Sequence, residues 1–209
     1  TLGYTHCCIE DVGILRSIPN LTIISPADSA EAVKAVAAGI EHGNSVYIRL
    51  TGGAKNSVVY KKDYEYVIGK AVTLREGKHI SIIASGTMVG ESLNAADILM
   101  EEGISATVVN MHTIKPVDVS AIQKVIKSSE LIVTVEEHSI VGGLGTAVAE
   151  VKTTFKDSPP QIMIGLPDQY DKGGEYKDIL ESHGLTSQLI AKRIMKHCKR
   201  NKIGSKINS

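Results

Sequence analysis

Short apolar runs recur along the chain at Leu21–Ser25, Ser45–Leu50, His79–Ala84, Ala106–Asn110, Leu131–Glu136 and Gln161–Leu166. Each has the length and aliphatic character of a buried strand. The segments between them carry helical periodicity and are long enough for crossover connections. Asp28-x-x-Glu31 reads as a capping box ahead of Val33, Val36, Ala37 and Ile40, which share one helical face. Thr87 is placed to cap a helix carrying Leu93, Ala96 and Met100, with Gly103 to end it. Asp118 precedes the stripe Val119, Ile122, Val125 and Ile126. Thr186 opens a last helix, with Leu185 and Ile190 at the two positions of a hydrophobic staple. Alternating strands and helices predict a three-layer α/β/α fold with a mostly parallel sheet.

The pattern breaks once. Thr51–Asp63 is polar, holds a Gly pair and lacks helical period, which predicts a linker, set at 53–67. Ahead of it, residues 1–52 hold one β-α-β unit; behind it, 68–198 hold a self-sufficient set of about four strands. A unit of about 50 residues is too small to close a core alone, so the first section is expected to belong to something larger. A start at Thr1, inside a Gly- and Thr-containing loop, points to the same expectation. The stretch 199–209 carries four basic residues and is expected to fray, its charge solubilising the chain.

Composition narrows the class. Aromatic residues make up 4% of the 209, with no Trp and one Phe, so the core must be aliphatic. Lys and Arg number 23, as do Asp and Glu, and a zero formal charge argues against a dedicated nucleic-acid binder. No apolar run reaches the roughly 18 residues of a membrane span, and no signal peptide opens the chain. Cys7 and Cys8 are adjacent, Cys198 is alone and no C-x-x-C unit occurs. That disfavours structural zinc and fits a reducing cytoplasm.

Two glycine-rich turns, Ser85-Gly86-Thr87 and Gly142-Gly143-Leu144-Gly145-Thr146, follow strands and open helices. Helix-start amides attract anions, although neither turn matches a phosphate-binding signature, and tight strand-to-helix turns explain both. Glu136-Glu137-His138 ends a strand at the carboxyl edge of the sheet, where acid–base work or metal binding is conceivable. Alternation of faces along a strand opposes a shared ligand for the two glutamates and favours a structural or interface role. His42, His79, His112, His183 and His197 show no ligand spacing. Thr5-His6 lies in a loop ahead of an amphipathic helix with Ile9, Val12, Gly13 and Arg16. Cys7 beside His6 lacks a third orienting group, which weakens a cysteine-nucleophile reading.

The run GYTHCCIEDVGILRSIPNLTIISPADSAEAVKAV, with VYIRL following, resembles the second half of the pyrimidine-binding domain of transketolases. IIASGTMVGESLNAADILMEEGISATVVNMHTIKPVD, SSELIVTVEEHSIVGGLGTAVAEV and GLPDQYDKGGEY are similar to their C-terminal domain. The resemblance runs from Thr1 to about His197. It implies a partial pyrimidine-binding domain at 1–52 and a transketolase C-terminal domain at 68–198. The function implied is that of a thiamine-diphosphate enzyme transferring a two-carbon ketol unit between sugar phosphates. His6 matches the active-site histidine of the family's T-H-Q motif, Thr5 stands beside it in a substrate-binding role, and Arg49 matches an arginine that holds acceptor phosphate. Leu2 replaces a family Asp and Cys7 the usual Gln, which leaves donor and acceptor open.

The glutamate that activates the aminopyrimidine and the G-D-G motif for diphosphate and Mg2+ do not occur in these residues. Thiamine diphosphate and Mg2+ are therefore expected in the complete enzyme and not on this chain alone. A homodimer or an N-terminal cofactor-binding partner section is the expected partner, and the isolated chain is expected to be inactive. Two alternatives stand beside this reading: the beta subunit of a 2-oxoacid dehydrogenase-type enzyme, and a non-catalytic dimerisation or anion-binding α/β scaffold.

Overall fold

The structure, a computed structural model, describes residues 8–51, 57–170 and 174–204. The strands are β1 (Leu21–Ile24), β2 (Ser45–Ile48), β3 (Val72–Arg75), β4 (Ile80–Ala84), β5 (Ala106–Asn110), β6 (Thr113–Lys115), β7 (Leu131–Ser139) and β8 (Gln161–Leu166). The helices are α1 (Asp11–Leu15), α2 (Ser29–Glu41), α3 (Met88–Glu101), α4 (Val119–Ser128), α5 (Leu144–Lys152), α6 (Tyr176–Ser182) and α7 (Ser187–Asn201).

The larger sheet runs β3-β5-β4-β7-β8. Its β5-β4-β7-β8 pairs are parallel and β3 is antiparallel at one edge, so the mostly parallel expectation holds. Alternation along the central strands feeds two cores. Ile80, Ile82, Leu131, Val133 and Val135 face α3 and α7, with Met88, Leu99, Ile190 and Ile194 closing that layer. Ile83, Val109 and Ile132 face α4 and α5, against Ile122, Val125, Leu144 and Val148. Both faces are covered, as a parallel sheet requires.

The helix starts follow expectation in place, and only partly in chemistry. Asp118 accepts the Ala121 amide at 3.0 Å, and Asp28 accepts the Glu31 amide at 2.8 Å. Thr87 and Thr186 stand at their N-caps without capping bonds; Thr87 donates to Glu137 instead, and the Ser187 amide goes to Glu91 of α3 at 2.6 Å. Leu185 and Ile190 are both fully buried, as a staple demands, whereas Met100 points outward from α3. Helix α7 continues through Asn201, so the basic stretch expected to fray from 199 begins as helix.

The smaller sheet runs β2-β1-β6. Strands β1 and β2 are parallel across α2, Leu21 opposite Ser45, which is the expected β-α-β unit. Strand β6 comes from the later part of the chain and pairs antiparallel with β1. Among the described residues, β2 has a sheet partner on one side only. The α2 stripe foreseen from the sequence is present, and it faces outward: Val33 is 72% exposed, Val36 46% and Ile40 80%. Its buried positions are Glu31 and Ala35.

Described residues 57–70 form no helix or strand, yet they are pinned. Asp28 accepts the amides of Val59 and Tyr60, and Tyr64 donates to the buried Glu31 at 2.6 Å. Asn110 donates to both Glu31 oxygens from the end of β5. One carboxylate thus ties the smaller sheet, the connecting strap and the larger sheet together.

Candidate functional site

A small, partly enclosed cleft lies where the two sheets meet, at the carboxyl ends of β4 and β7. It is lined by Ser25 and Arg49 from the smaller sheet, Ser85 and Thr87 from the β4–α3 turn, and Glu136 and Glu137 from β7. The carboxyl edge of parallel strands is where helix starts and loop backbone leave room for a ligand.

Arg49 follows β2, and its amide extends that strand's pairing by bonding the Ile24 carbonyl at 2.8 Å. Its guanidinium is held from the α1 side: Nε donates to the Asp11 carboxylate at 3.0 and 3.2 Å, and Nη2 to the Cys8 carbonyl at 3.0 Å. Tyr47 shares a strand face with Arg49 and donates its hydroxyl to Asp11 at 2.8 Å. Burial, then the bond to Asp11, pushes the Tyr47 phenol up to about 12.

Glu136 is buried at the start of α5, where its oxygens accept the Leu144 and Gly145 amides at 2.6 and 2.8 Å. Burial pushes its pKa up to about 7, while those amides and Arg49 pull the other way. A Cβ at Gly143 would overlap the Glu136 Oε2, so glycine is required there. Two amides of the Gly142–Gly145 turn, those of Leu144 and Gly145, are therefore taken by an internal carboxyl group, and the Gly142 amide bonds the Thr146 hydroxyl at 3.1 Å.

His138 joins the two sections. Its Nδ1–H donates to the Ser139 carbonyl at 2.6 Å, leaving Nε2 to accept the Gly13 amide of α1 at 3.3 Å. The Asp11 and Glu136 carboxylates each stand 3.7 Å from the ring. Burial holds its pKa below the ordinary imidazole value. Beside it the backbones nearly touch: a Cβ at Gly142, which has φ +76°, would lie 2.8 Å from the Gly13 Cα. Arg16, the C-cap of α1, donates to the Gly142 carbonyl at 2.8 Å and pairs with Glu150.

Glu137 points the other way, accepting hydroxyls from Thr87 and Tyr176, each at 2.7 Å. The pleat separates the two glutamates as expected, although both still border the cleft. Thr5 and His6, with Leu2 and Cys7, lie outside the described residues. Arg49 lines the cleft, ion-paired to Asp11 and with its side chain only 14% exposed, not a loose strand-end charge. Asp11 escaped the sequence reading because it stands far from Arg49 along the chain. Tyr47 carried a signal, two residues before Arg49 on the same face. Among the described residues no group of three or more His, Cys, Asp and Glu side chains could hold a metal ion, and no helix is long and apolar enough to cross a membrane.

Residues 69–190 match the model of the transketolase C-terminal domain, and residues 2–55 that of the transketolase pyrimidine-binding domain. The chain belongs to the transketolase family. It is 38% identical to an apulose-4-phosphate transketolase subunit of Phocaeicola vulgatus over 95% of its own length and 63% of that protein's. It is 35% identical to 1-deoxy-D-xylulose-5-phosphate synthase of Caldanaerobacter subterraneus over 94% of this chain and 32% of that one. Among solved structures, a split-gene transketolase in an inactive beta4 tetramer superposes with TM-score 0.83 at 35% identity, covering 92% of this chain and 62% of its own. The chain thus spans less than two thirds of the length of these relatives.

Proposed function

We propose that this chain is the C-terminal section of a thiamine-diphosphate-dependent transketolase-type transferase that moves a two-carbon ketol unit between sugar phosphates. Residues 1–52 serve in this reading as part of a pyrimidine-binding domain and 68–198 as the C-terminal domain, in a cytoplasmic assembly. Family membership supports the reaction class. The single observation that carries a role for this chain is that Arg49 lines the inter-sheet cleft with its guanidinium held at two nitrogens. A fixed guanidinium suits the phosphate of an acceptor sugar. His6 and Thr5 are assigned to the donor sugar, where an imidazole N–H stabilises a developing alkoxide.

In this reading diphosphate and Mg2+ are held by a second section of the enzyme or by a separate chain, because the sequence carries no G-D-G motif for them. The outward stripe of α2 and the one-sided edge of β2 give such a section a surface to complete. Relatives named as a transketolase subunit and as a split-gene transketolase support this division. When bound, the cofactor supplies the carbanion chemistry; this chain binds and orients the sugars.

Steady-state ketol transfer with added thiamine diphosphate and Mg2+ tests the reading. The isolated chain is expected to show no turnover, and the chain joined with its cofactor-binding section to show it. His6→Ala in that assembly should lower turnover by about 10²-fold or more. A full rate in the variant removes His6 from the mechanism.

A further inference from the structure

The Arg49 contact rests on a second residue that the family resemblance did not supply. We infer that Asp11 is a positioning residue that sets the preference for phosphorylated acceptors by fixing the Arg49 fork so that Nη1 is presented to the cleft. This rests on the reading of Arg49 as the phosphate contact. The Nε edge of Arg49 is occupied by both Asp11 oxygens, and Nη2 bonds the Cys8 carbonyl. Among the described residues Nη1 has no acceptor, while the side chain lines the cleft beside Ser25, Ser85 and Thr87.

Asp11 is itself held. It is 8% exposed, takes the Tyr47 hydroxyl on Oδ2 and has the His138 ring 3.7 Å from Oδ1. A guanidinium neutralised along one edge attracts anions weakly through bulk charge and strongly through the directed N–H that is left. Recognition then depends on geometry, and a loosened Arg49 loses affinity for phosphate even though its charge remains. An ion pair serving stability alone makes a different prediction, since its loss would leave the ranking of acceptors unchanged.

The test compares KM for a phosphorylated aldose with KM for its unphosphorylated analogue, in the enzyme assembled from this chain and its cofactor-binding section. Asp11→Ala is expected to raise the first about tenfold while leaving the second and kcat within about twofold. Asp11→Asn keeps an acceptor for Nε–H and should restore the ratio to within about threefold of the parent. Tyr47→Phe removes only the hydroxyl that steadies Asp11 and should raise the first KM about two- to fivefold, which keeps the inference testable should Asp11→Ala not fold. If Arg49→Ala abolishes the preference while Asp11→Ala, or Tyr47→Phe in its place, leaves it intact, the positioning role of Asp11 is overturned and the Arg49 reading stands. If Arg49→Ala itself leaves the preference unchanged, the phosphate reading fails and the Asp11 role goes with it.

Discussion

The two sheets have been built to different degrees of completion from the same aliphatic material. Among the described residues, strands β4 and β7 lie in the interior of a sheet of five, covered on both faces, and their residues Ile80, Ile82, Ile83, Leu131 and Val133 are fully or almost fully buried. Strands β1 and β2 belong to a sheet of three, and the helix between them turns Val33, Val36 and Ile40 to solvent. Both helices α2 and α4 have well-formed side-chain caps. Local signals therefore specify helices equally well in the two regions, and what differs is the presence of something to bury the apolar stripe.

Substitutions sharpen that contrast. Ile82→Ala in the closed sheet is expected to lower unfolding free energy by about 2–5 kcal/mol in urea titration. Ile40→Ala on the outward stripe should change it by less than about 0.5 kcal/mol in the isolated chain. Equal losses at the two positions would dissolve the comparison.

Gly142→Ala comes next in size after Ile82→Ala. The left-handed backbone and the close approach to Gly13 should make it cost about 1–3 kcal/mol, read as a lowered Tm. Because that contact joins the sections, the loss should fall mainly on protection of α1 amides and less on those of β4. Uniform loss would mean that the two regions unfold as one.

A smaller effect is written in pH. Glu136 titrates in the fold near 7, above its ordinary 4.5, so its contribution to stability is fullest below about pH 4.5 and declines as pH rises toward 7. His138 works in the opposite sense. Its depressed pKa means that stability is full above about pH 6.5 and falls as acid drives a proton onto Nε2, displacing the Gly13 amide. Glu136→Gln should flatten the first slope and His138→Gln the second, measured as Tm against pH. Unchanged slopes would show that neither group titrates differently on folding.

Much of the closed sheet was legible in the sequence because its strands are continuous aliphatic runs bounded by turns. Val72–Arg75 was not, since its alternating Thr and Arg suit a half-buried edge and its partner lies far along the chain. Thr113–Lys115 was hidden for a related reason: three residues before Pro116 give no local pattern, and their partner β1 lies about ninety residues earlier. At the candidate site, Arg49 was singled out through the family resemblance, but Asp11 was not, because a contact made by chain folding leaves no spacing to read. The outward face of α2 is the most instructive case. Periodicity predicts that a stripe exists, and says nothing of whether this chain supplies its cover.

Native-state hydrogen exchange across both sheets tests this difference in completion most directly, on the chain alone and on the chain joined with the cofactor-binding section proposed above. Slow exchange is expected for β4 and β7 amides in both samples, with β1 and β2 amides exchanging fast alone and becoming protected in the assembly. Protection of β1 and β2 equal to that of β4 and β7 in the isolated chain would contradict it.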